Sequence, residues 1–417
     1  MKHNTIIIGG GLSGLTCAIQ LAKTGQRVVV VSAGQSTLHF HSGSFELLGY
    51  QEDGTEVTDL AEGLKALGAQ HPYSRIGAAE TLALAKDARQ LLANAGIATL
   101  GDGQKNHYRL TPIGGLKPAW LTIEGFLTAE SAKAFPYQHV TLIDVEGFLD
   151  LPVAFLKDSL EQAGVTCTVK TVSVQELTDR RCSQTEMRAS NLAKILQQGD
   201  VMQQLAREVS RVAEGEAVML PAIIKPSDKK LVELLKNAVK QPCHFVATLP
   251  PSVPGIGVQE QLRKQFYDLG GRILMGDEAV KAEIADGVVK YICTENLQDT
   301  RLEADNFVLA SGSFMSRGLR SNYEGIQEPL FGLVIDVKAV HSQWTQDYVF
   351  DAQPYMQFGV HADASFLAMK DGKPFKNLYV VGSALSGHNA VKMADGTGVS
   401  LLTALYVAKK ITEKKEK

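Results

Sequence analysis

The chain has 417 residues, of which 45% are hydrophobic and 21% are charged. At roughly 150 residues per domain, this length predicts two or three domains, each able to bury a core without disulfide or metal cross-links. Lys+Arg 42 against Asp+Glu 45 gives a formal net charge of −3, so we expect no nucleic acid among the partners.

The five cysteines are scattered, with no CxxC pair and no metal-ligand spacing. This pattern fits a reducing compartment and argues against a metal site or a protein-bound iron–sulfur cluster. No apolar run approaches the roughly 20 residues of a membrane span. The apolar start at Thr5–Ile8 leads directly into glycines, unlike a signal peptide. We therefore expect a soluble, cytoplasmic, globular protein.

The first 31 residues predict a βαβ unit. Thr5–Ile8 and Val28–Val31 are short β-branched runs, typical of buried parallel strands, and the residues between them have helical spacing. The motif Gly9-x-Gly11-x-x-Gly14 joins the first strand to the helix. Its glycines permit a tight turn, a close approach of backbone to phosphate, and close packing of helix on strand. Free N–H groups at the helix start bind anions, so the motif predicts a phosphate-bearing cofactor.

The end of the second strand departs from the dinucleotide-binding pattern. This position normally carries Asp or Glu, which bonds the adenosine ribose, but here it is Ser32. A serine hydroxyl can still bond a ribose, although charge-assisted hydrogen bonds are about twice as strong as neutral ones. A dinucleotide therefore remains possible without its usual anchor.

Two later blocks continue the parallel-sheet pattern. The first comprises a helix, a strand, three short segments with a hairpin signal at Asp286-Gly287, and a buried strand that ends in Ser311-Gly312. The three segments predict an antiparallel meander. The second block is a strand, a loop from Gly382 and a closing helix. The predicted bounds are Val258–Leu269, Arg272–Met275, Ala279–Ile284, Val288–Thr294, Thr300–Ala304, Asn306–Ala310, Leu378–Val381 and Gly396–Ile411.

The remaining stretches lack the buried runs of a parallel sheet and contain helical patches. These patches are Ala78–Ala95, Ser190–Val212 and Lys229–Val239. We therefore predict an α/β protein in which one domain is assembled from separate pieces. The flavin or nucleotide-binding domain comprises 1–54, 251–313 and 376–417, and the inserted α+β cap or substrate domain comprises 55–250 and 314–375.

Phe307–Gly312, Leu378–Gly382 and Ala394–Gly398 resemble the later signatures of the glutathione-reductase-like flavoproteins. The resemblance implies a flavin-binding Rossmann domain with a β-meander, whose closing helix points its N-terminus at the flavin ring. A helix N-terminus stabilises the negative charge of a reduced flavin. The segment Leu38–Ser44 then corresponds to a loop that meets the ribityl chain and ring. The predicted cofactor-binding residues are Gly9, Gly11, Gly14, Ser32, Ser42, Gly43, Ser44, Gly312, Gly382, Gly396, Thr397 and Gly398.

Three further motifs are more distinctive: Gln35–Ser44, Arg109–Thr122 and Pro250–Ile256. With the glycine motif, they resemble the B subunits of anaerobic glycerol-3-phosphate dehydrogenases over essentially the whole chain. The resemblance implies an FMN-bearing subunit that joins two others, the flavoprotein A subunit plus the iron–sulfur, membrane-anchoring C subunit. It also implies oxidation of glycerol 3-phosphate to dihydroxyacetone phosphate in anaerobic respiration, with electrons passing to quinone. The complex would lie peripherally on the cytoplasmic face of the inner membrane.

Ser32 favours FMN as well, because FMN carries no adenosine; FAD is the alternative. Only one GxGxxG motif occurs in the chain. A bound flavin with a separate electron partner is therefore expected, rather than a flavin reduced by a nicotinamide.

Four residues are candidates for handling the substrate. Arg109 and Lys117 are predicted to clamp a phosphate, Arg by its planar fork and Lys as a point charge. The alternative is that they are surface charges beside a structural Trp. Arg317 follows the Ser311-Gly312 turn and is predicted to face substrate or a neighbouring protein of the complex. His388 precedes the closing helix and is the predicted catalytic base, since His commonly accepts protons near neutral pH; the alternative is a hydrogen-bonding loop residue.

Two other functions remain open at this point. The chain could be an electron-relay flavin subunit whose substrate is oxidised elsewhere in the complex. It could also be a non-redox assembly subunit with a degenerate nucleotide fold.

Overall fold

The computed structural model describes residues 3–179, 187–337 and 340–416, and Cys182 lies outside them. The helices are α1 (Leu12–Lys23), α2 (Leu60–Lys65), α3 (Pro72–Ile76), α4 (Ala78–Asn94), α5 (Val153–Gln162), α6 (Gln175–Asp179), α7 (Ala189–Ile195), α8 (Val201–Val212), α9 (Lys229–Ala238), α10 (Val253–Asp268) and α11 (Gly396–Glu416). Within these described ranges, no helix is both long enough and apolar enough to cross a bilayer.

The strands are β1 (His3–Ile8), β2 (Val28–Ser32), β3 (Ser44–Phe45), β4 (Thr99–Leu100), β5 (His107–Leu110), β6 (Leu116–Ala119), β7 (Leu121–Ile123), β8 (Thr128–Ala129), β9 (His139–Val145), β10 (Thr166–Val172), β11 (Ala217–Pro221), β12 (Cys243–Val246), β13 (Arg272–Met275), β14 (Ala279–Ala285), β15 (Val288–Thr294), β16 (Leu302–Leu309), β17 (Arg320–Ser321), β18 (Ile326–Gln327), β19 (Ile335–Asp336), β20 (Gly359–Val360), β21 (Leu367–Lys370) and β22 (Lys373–Val380). The chain forms two compact units. The first comprises Met1–Thr37, Glu46–Ala95 and Leu262–Lys417, and the second comprises Leu38–Phe45 and Gly96–Gln261.

The first unit is built on a mixed sheet with strand order β13-β2-β1-β16-β15-β14. β1 pairs in parallel with β2 and β16, β2 pairs in parallel with β13, and β22 pairs in parallel with β16. The Ile and Val side chains of β1 and β2 are buried, as expected for parallel strands covered on both faces. Helix α1 packs on β2 and against α11. The predicted α/β fold with a Rossmann-like parallel sheet is confirmed.

The predicted meander is formed by β14, β15 and β16. Asp286 (φ 54°) and Gly287 (φ 70°) make the turn between β14 and β15, which fits the positive φ angles of a two-residue hairpin turn. The prediction of separate segments at 300–304 and 306–310 is wrong, because a single strand, β16, spans most of both. Its exposed Glu303 and Asp305 alternate with the buried Ala304, so these charged residues lie on the outer face of one continuous strand.

Two segments predicted as inserted pack within the first unit. Helix α4 lies against α11, where Lys409 Nζ is 2.7 Å from Glu80 Oε1. β21 pairs with β22 at the main sheet. The bounds of the two units therefore differ from the predicted 55–250 and 314–375, because packing between distant segments decides them.

The second unit contains a four-stranded parallel sheet with order β10-β9-β11-β12. The expectation that this stretch lacks a parallel sheet is wrong. Its strands mix threonine with aliphatic residues, and the buried Thr141 satisfies its hydroxyl by donating to Glu214 O at 2.6 Å. Such polar positions interrupt the continuous apolar run that marks a buried strand. Two small antiparallel sheets, β3-β7-β4 and β6-β5-β8, complete this unit.

Candidate functional site

A cavity of the first unit lies at the carboxyl ends of β1 and β2. Its lining includes Gly9–Ser13, Val31–Thr37, Asp277–Ala279, Leu309–Gly312, Met315–Gly318, Glu328–Leu330, Ser383 and Ser400. In open α/β sheets, ligands bind in the crevice outside the carboxyl ends of the strands. This cavity is therefore the candidate cofactor site.

The three motif glycines have different surroundings. A Cβ added to Gly9 would lie 2.1 Å from Ala310 O, and one added to Gly14 would lie 1.9 Å from Gly9 O. These two glycines thus allow the loop to pack on the sheet and helix. Gly11 has an extended backbone (φ −86°), and a Cβ added there would meet only Ser36 Cβ, at 3.5 Å. Gly11 therefore keeps the cavity open at the start of α1.

The groups around this cavity suit a phosphate. Helix α1 begins with no acidic residue in its first turn and no side-chain cap at Gly11, which leaves N–H groups for an anion. Arg317 adds a cation to the lining. Ser311 Oγ is buried and has no hydrogen-bond partner within the described residues, and a polar ligand would satisfy it. The residues present fit the phosphate group that a flavin cofactor carries.

Ser32 lies at the end of β2 and is 2% exposed. A Cβ added to Gly10 would be 2.4 Å from Ser32 Oγ, so this side chain lies against the glycine loop. Beyond it the cavity continues to Asp277–Ala279. The Glu278 carboxylate in that part is 3.3 Å from Arg320 Nη2.

Four further predicted cofactor residues, like Gly14, lie outside this lining. A Cβ added to Gly382 would be 2.6 Å from Ser13 Oγ, and the next residue, Ser383, lines the cavity instead. At the start of α11, a Cβ added to Gly396 would be 2.9 Å from Ala390 Cβ. Glu46 N–H donates to Thr397 Oγ1 at 2.6 Å, and Gly398 N–H donates to Glu46 O at 2.8 Å. Gly312, in contrast, lies in the cavity lining, and its role toward the cofactor stays a prediction.

The predicted polar loop Ser42–Ser44 belongs to the second unit. Ser42 Oγ and Ser44 Oγ are 2.9 Å apart, and Ser44 pairs with Thr122 across β3 and β7. A Cβ added to Gly43 would be 2.6 Å from the Phe126 ring. A role of these three residues toward the cofactor stays a prediction.

The structure brings Arg109 and Lys117 together in the second unit. They are directly opposite each other in the antiparallel pair β5–β6, so their Cβ atoms are about 4.5–5.5 Å apart on one face. His107 shares that face of β5 because side chains alternate along a strand, and its Nε2 is 2.7 Å from Thr122 Oγ1. Two cations on the same face of neighbouring strands can contact one anion.

His388 belongs to a buried cluster in the first unit. Its Nδ1 is 3.1 Å from Asp395 Oδ1, and His71 Nε2 is 2.9 Å from Asp395 Oδ2. The three side chains are at most 3% exposed. Burial alone would raise the pKa of Asp395, but its interactions with the His388 and His71 imidazoles outweigh that effect and hold the pKa below its usual value.

The sequence analysis misses Asp395 and His71. Asp395 is near His388 in the sequence, but a seven-residue separation within a loop carries no structural signal. His71 is 324 residues from Asp395, so only the folded chain brings them together.

The fold and the cavity define a flavin-binding protein of the Rossmann type, and a family model described as "FAD binding domain" matches residues 4–399. The chain is 38% identical over 421 residues to the B subunit of anaerobic glycerol-3-phosphate dehydrogenase from Yersinia enterocolitica, covering 100% of this chain and 99% of that protein. The same protein of Pectobacterium atrosepticum is 37% identical over 415 residues, covering 99% of each.

The chain belongs to the family of anaerobic glycerol-3-phosphate dehydrogenase B subunits, as the sequence motifs predict, and to a family of flavin-binding oxidoreductases. Among solved structures, 3-ketosteroid delta1-dehydrogenase from Sterolibacterium denitrificans is 13% identical with a TM-score of 0.46. That match covers 99% of this chain and 100% of the other.

Proposed function

We propose that this chain is a flavin-dependent subunit of a respiratory complex that oxidises glycerol 3-phosphate to dihydroxyacetone phosphate and passes electrons toward quinone. The observation that carries the proposal is the open cavity beside Gly11, in a chain of this family. The proposed partners are the flavoprotein A subunit plus the iron–sulfur C subunit, which anchors the complex to the cytoplasmic face of the membrane. The relatives are named as B subunits, which supports an assembly of several different chains.

We assign the flavin phosphate to the first-turn N–H groups of α1, beside Gly11, and to Arg317. Helix N-terminus and guanidinium both favour a phosphate. Arg317, predicted from sequence as a substrate ligand, is thus proposed as a cofactor ligand because it shares the cavity with the glycine loop. A bound flavin would supply the acceptor for the two electrons of the alcohol.

We propose FMN as the flavin, because no carboxylate stands at Ser32 to bond an adenosine ribose. The loss of that charge-assisted bond would make the free energy of FAD binding about 1–2 kcal/mol less favourable, which lowers the affinity roughly tenfold. FAD is the second candidate, since the cavity continues to Asp277–Ala279. Flavin released by heat from protein purified without added flavin is expected to have the mass of FMN. Stoichiometric FAD would contradict FMN and leave the flavin site intact.

Arg109 and Lys117 are the proposed ligands of the substrate phosphate. Their opposed positions on β5 and β6 place two cations side by side, and a phosphate accepts from both. His388 is the proposed base that takes the hydroxyl proton as the alcohol becomes a ketone.

The function is tested by adding glycerol 3-phosphate anaerobically to the purified chain. We expect the flavin absorbance to bleach. In Lys117→Met, the glycerol 3-phosphate concentration that gives half-maximal bleaching should rise about tenfold. A hydrogen bond to a charged group contributes roughly 1.5–3 kcal/mol to binding, and less where solvent screens it.

The matched control is Lys290→Met, which removes a lysine from the exposed face of β15 and should leave the concentration dependence unchanged. A flavin that stays oxidised in the isolated chain, while the complete complex turns over, would favour the electron-relay alternative. A chain that never carries flavin would favour the assembly alternative.

A further inference from the structure

The backbone fixes the protonation of His71. Tyr73 N–H donates to His71 Nδ1 at 3.1 Å, and because a backbone N–H only donates, Nδ1 must be the acceptor. The ring proton therefore lies on Nε2, which donates to Asp395 Oδ2 at 2.9 Å. His71 is held as the neutral Nε2–H tautomer.

Asp395 is positioned to remain a carboxylate. It directly precedes α11, and Val399 N–H donates to its backbone oxygen at 2.8 Å, so the carboxylate lies at a helix N-terminus, where a negative charge is stabilised. Its two oxygens accept from the two imidazoles. An ionised carboxylate only accepts hydrogen bonds.

His388 must then donate through Nδ1, which is 3.1 Å from Asp395 Oδ1. Its Nε2 has no hydrogen-bond partner among residues 3–179, 187–337 and 340–416. In the neutral ring, this leaves Nε2 with a lone pair, in a side chain that is 3% exposed. The chain thus presents one imidazole nitrogen as a proton acceptor.

We propose that Asp395 and His71 are positioning residues that hold His388 as its Nδ1–H tautomer, with Nε2 ready to accept a proton. The substrate hydroxyl as the proton donor rests on the proposed function, whereas the tautomer of His388 does not. A bound flavin would supply the acceptor for the hydride and its electron pair, and the role of His388 Nε2 is to take the hydroxyl proton as the C–O bond of the substrate becomes C=O. The resulting imidazolium is paired with the Asp395 carboxylate until it releases the proton to solvent.

Asp395→Asn is the sharpest test. The oxygen of the new amide can accept from His71 Nε2–H, because the Tyr73 N–H fixes the His71 tautomer. The NH₂ group of the amide then faces His388 Nδ1, so Nδ1 must accept a hydrogen bond. The ring proton of His388 therefore moves to Nε2. The rate of flavin reduction by glycerol 3-phosphate should fall about 10³- to 10⁴-fold, as expected when a base is held in the wrong tautomer. The half-saturating concentration should be unchanged.

Three further variants separate positioning from a structural role. Asp268→Asn is the control, since the Asp268 carboxylate is 2.9 Å from Lys264 Nζ in an exposed pair on α10; its rate should stay at the wild-type level. His71→Leu should slow reduction about tenfold by removing one donor to Asp395, and His71→Gln should restore part of that loss.

The tautomers are read directly from the ¹⁵N spectrum of histidine-labelled protein, with resonances assigned through His71→Gln and His388→Gln. We expect Nδ1–H at His388 and Nε2–H at His71 in the wild type, and Nε2–H at His388 in Asp395→Asn. An Nε2–H tautomer at His388 in the wild type would overturn the proposal. The spectrum needs no substrate, so correct tautomers in a chain that never oxidises glycerol 3-phosphate would refute the proposed function alone.

Discussion

Gly11→Val is expected to give a folded protein that has lost its flavin. The extended backbone of Gly11 is open to any residue, and an added Cβ meets only Ser36 Cβ, at 3.5 Å. The variant should therefore fold. The branched side chain would project into the cavity at the start of α1, where a phosphate meets the helix N–H groups. Purified protein should be colourless, with a far-UV circular dichroism spectrum like that of the wild type.

Two other glycines provide the comparison. Gly325→Val makes the same change at a turn where an added Cβ has nothing within 4 Å, and it should keep its flavin. Gly14→Ala should instead unfold or fail to express, because its Cβ would lie 1.9 Å from Gly9 O and backbone cannot move aside cheaply. Full flavin occupancy in Gly11→Val would mean that the phosphate binds elsewhere.

The parts of the fold that the sequence predicts are those set by short-range pattern. The β-branched runs of β1 and β2, the glycine motif between them and the Asp286-Gly287 turn each carry their information within a few residues. Their positions in the structure agree with the prediction to within one or two residues at most bounds. The family resemblance rests on the same kind of local motif.

The parts that the sequence does not predict depend on distant partners. Helix α4 is readable as a helix, but nothing in 78–95 indicates that it packs on α11. The parallel sheet of the second unit is hidden because threonines such as Thr141 interrupt its apolar runs, and the acceptor of the Thr141 hydroxyl, Glu214 O, is 73 residues away. The sequence suggests that Arg317 faces substrate or a neighbouring protein, and only the fold places it in the same cavity as the glycine loop.

The second large effect is expected at His388. His388→Gln keeps a polar side chain that can still donate to Asp395, but an amide cannot take up a proton. Loss of a general base lowers rates about 10²- to 10⁴-fold. The rate of flavin bleaching by glycerol 3-phosphate, measured anaerobically by stopped flow, should fall within that range. The flavin content should not change, because the cavity lining does not include residue 388.

His361→Gln is the control, since His361 also pairs with an aspartate but is 39% exposed. A normal bleaching rate in His388→Gln would place the base elsewhere.

Comparing His388→Gln with Asp395→Asn adds a finer distinction, because Asp395→Asn keeps the imidazole and changes only which of its nitrogens carries the proton. Slow reduction in both variants requires a base with a fixed tautomer. Slow reduction in His388→Gln alone would mean that His388 takes the proton whichever nitrogen faces the substrate, and that the buried Asp395 serves only to hold the loop.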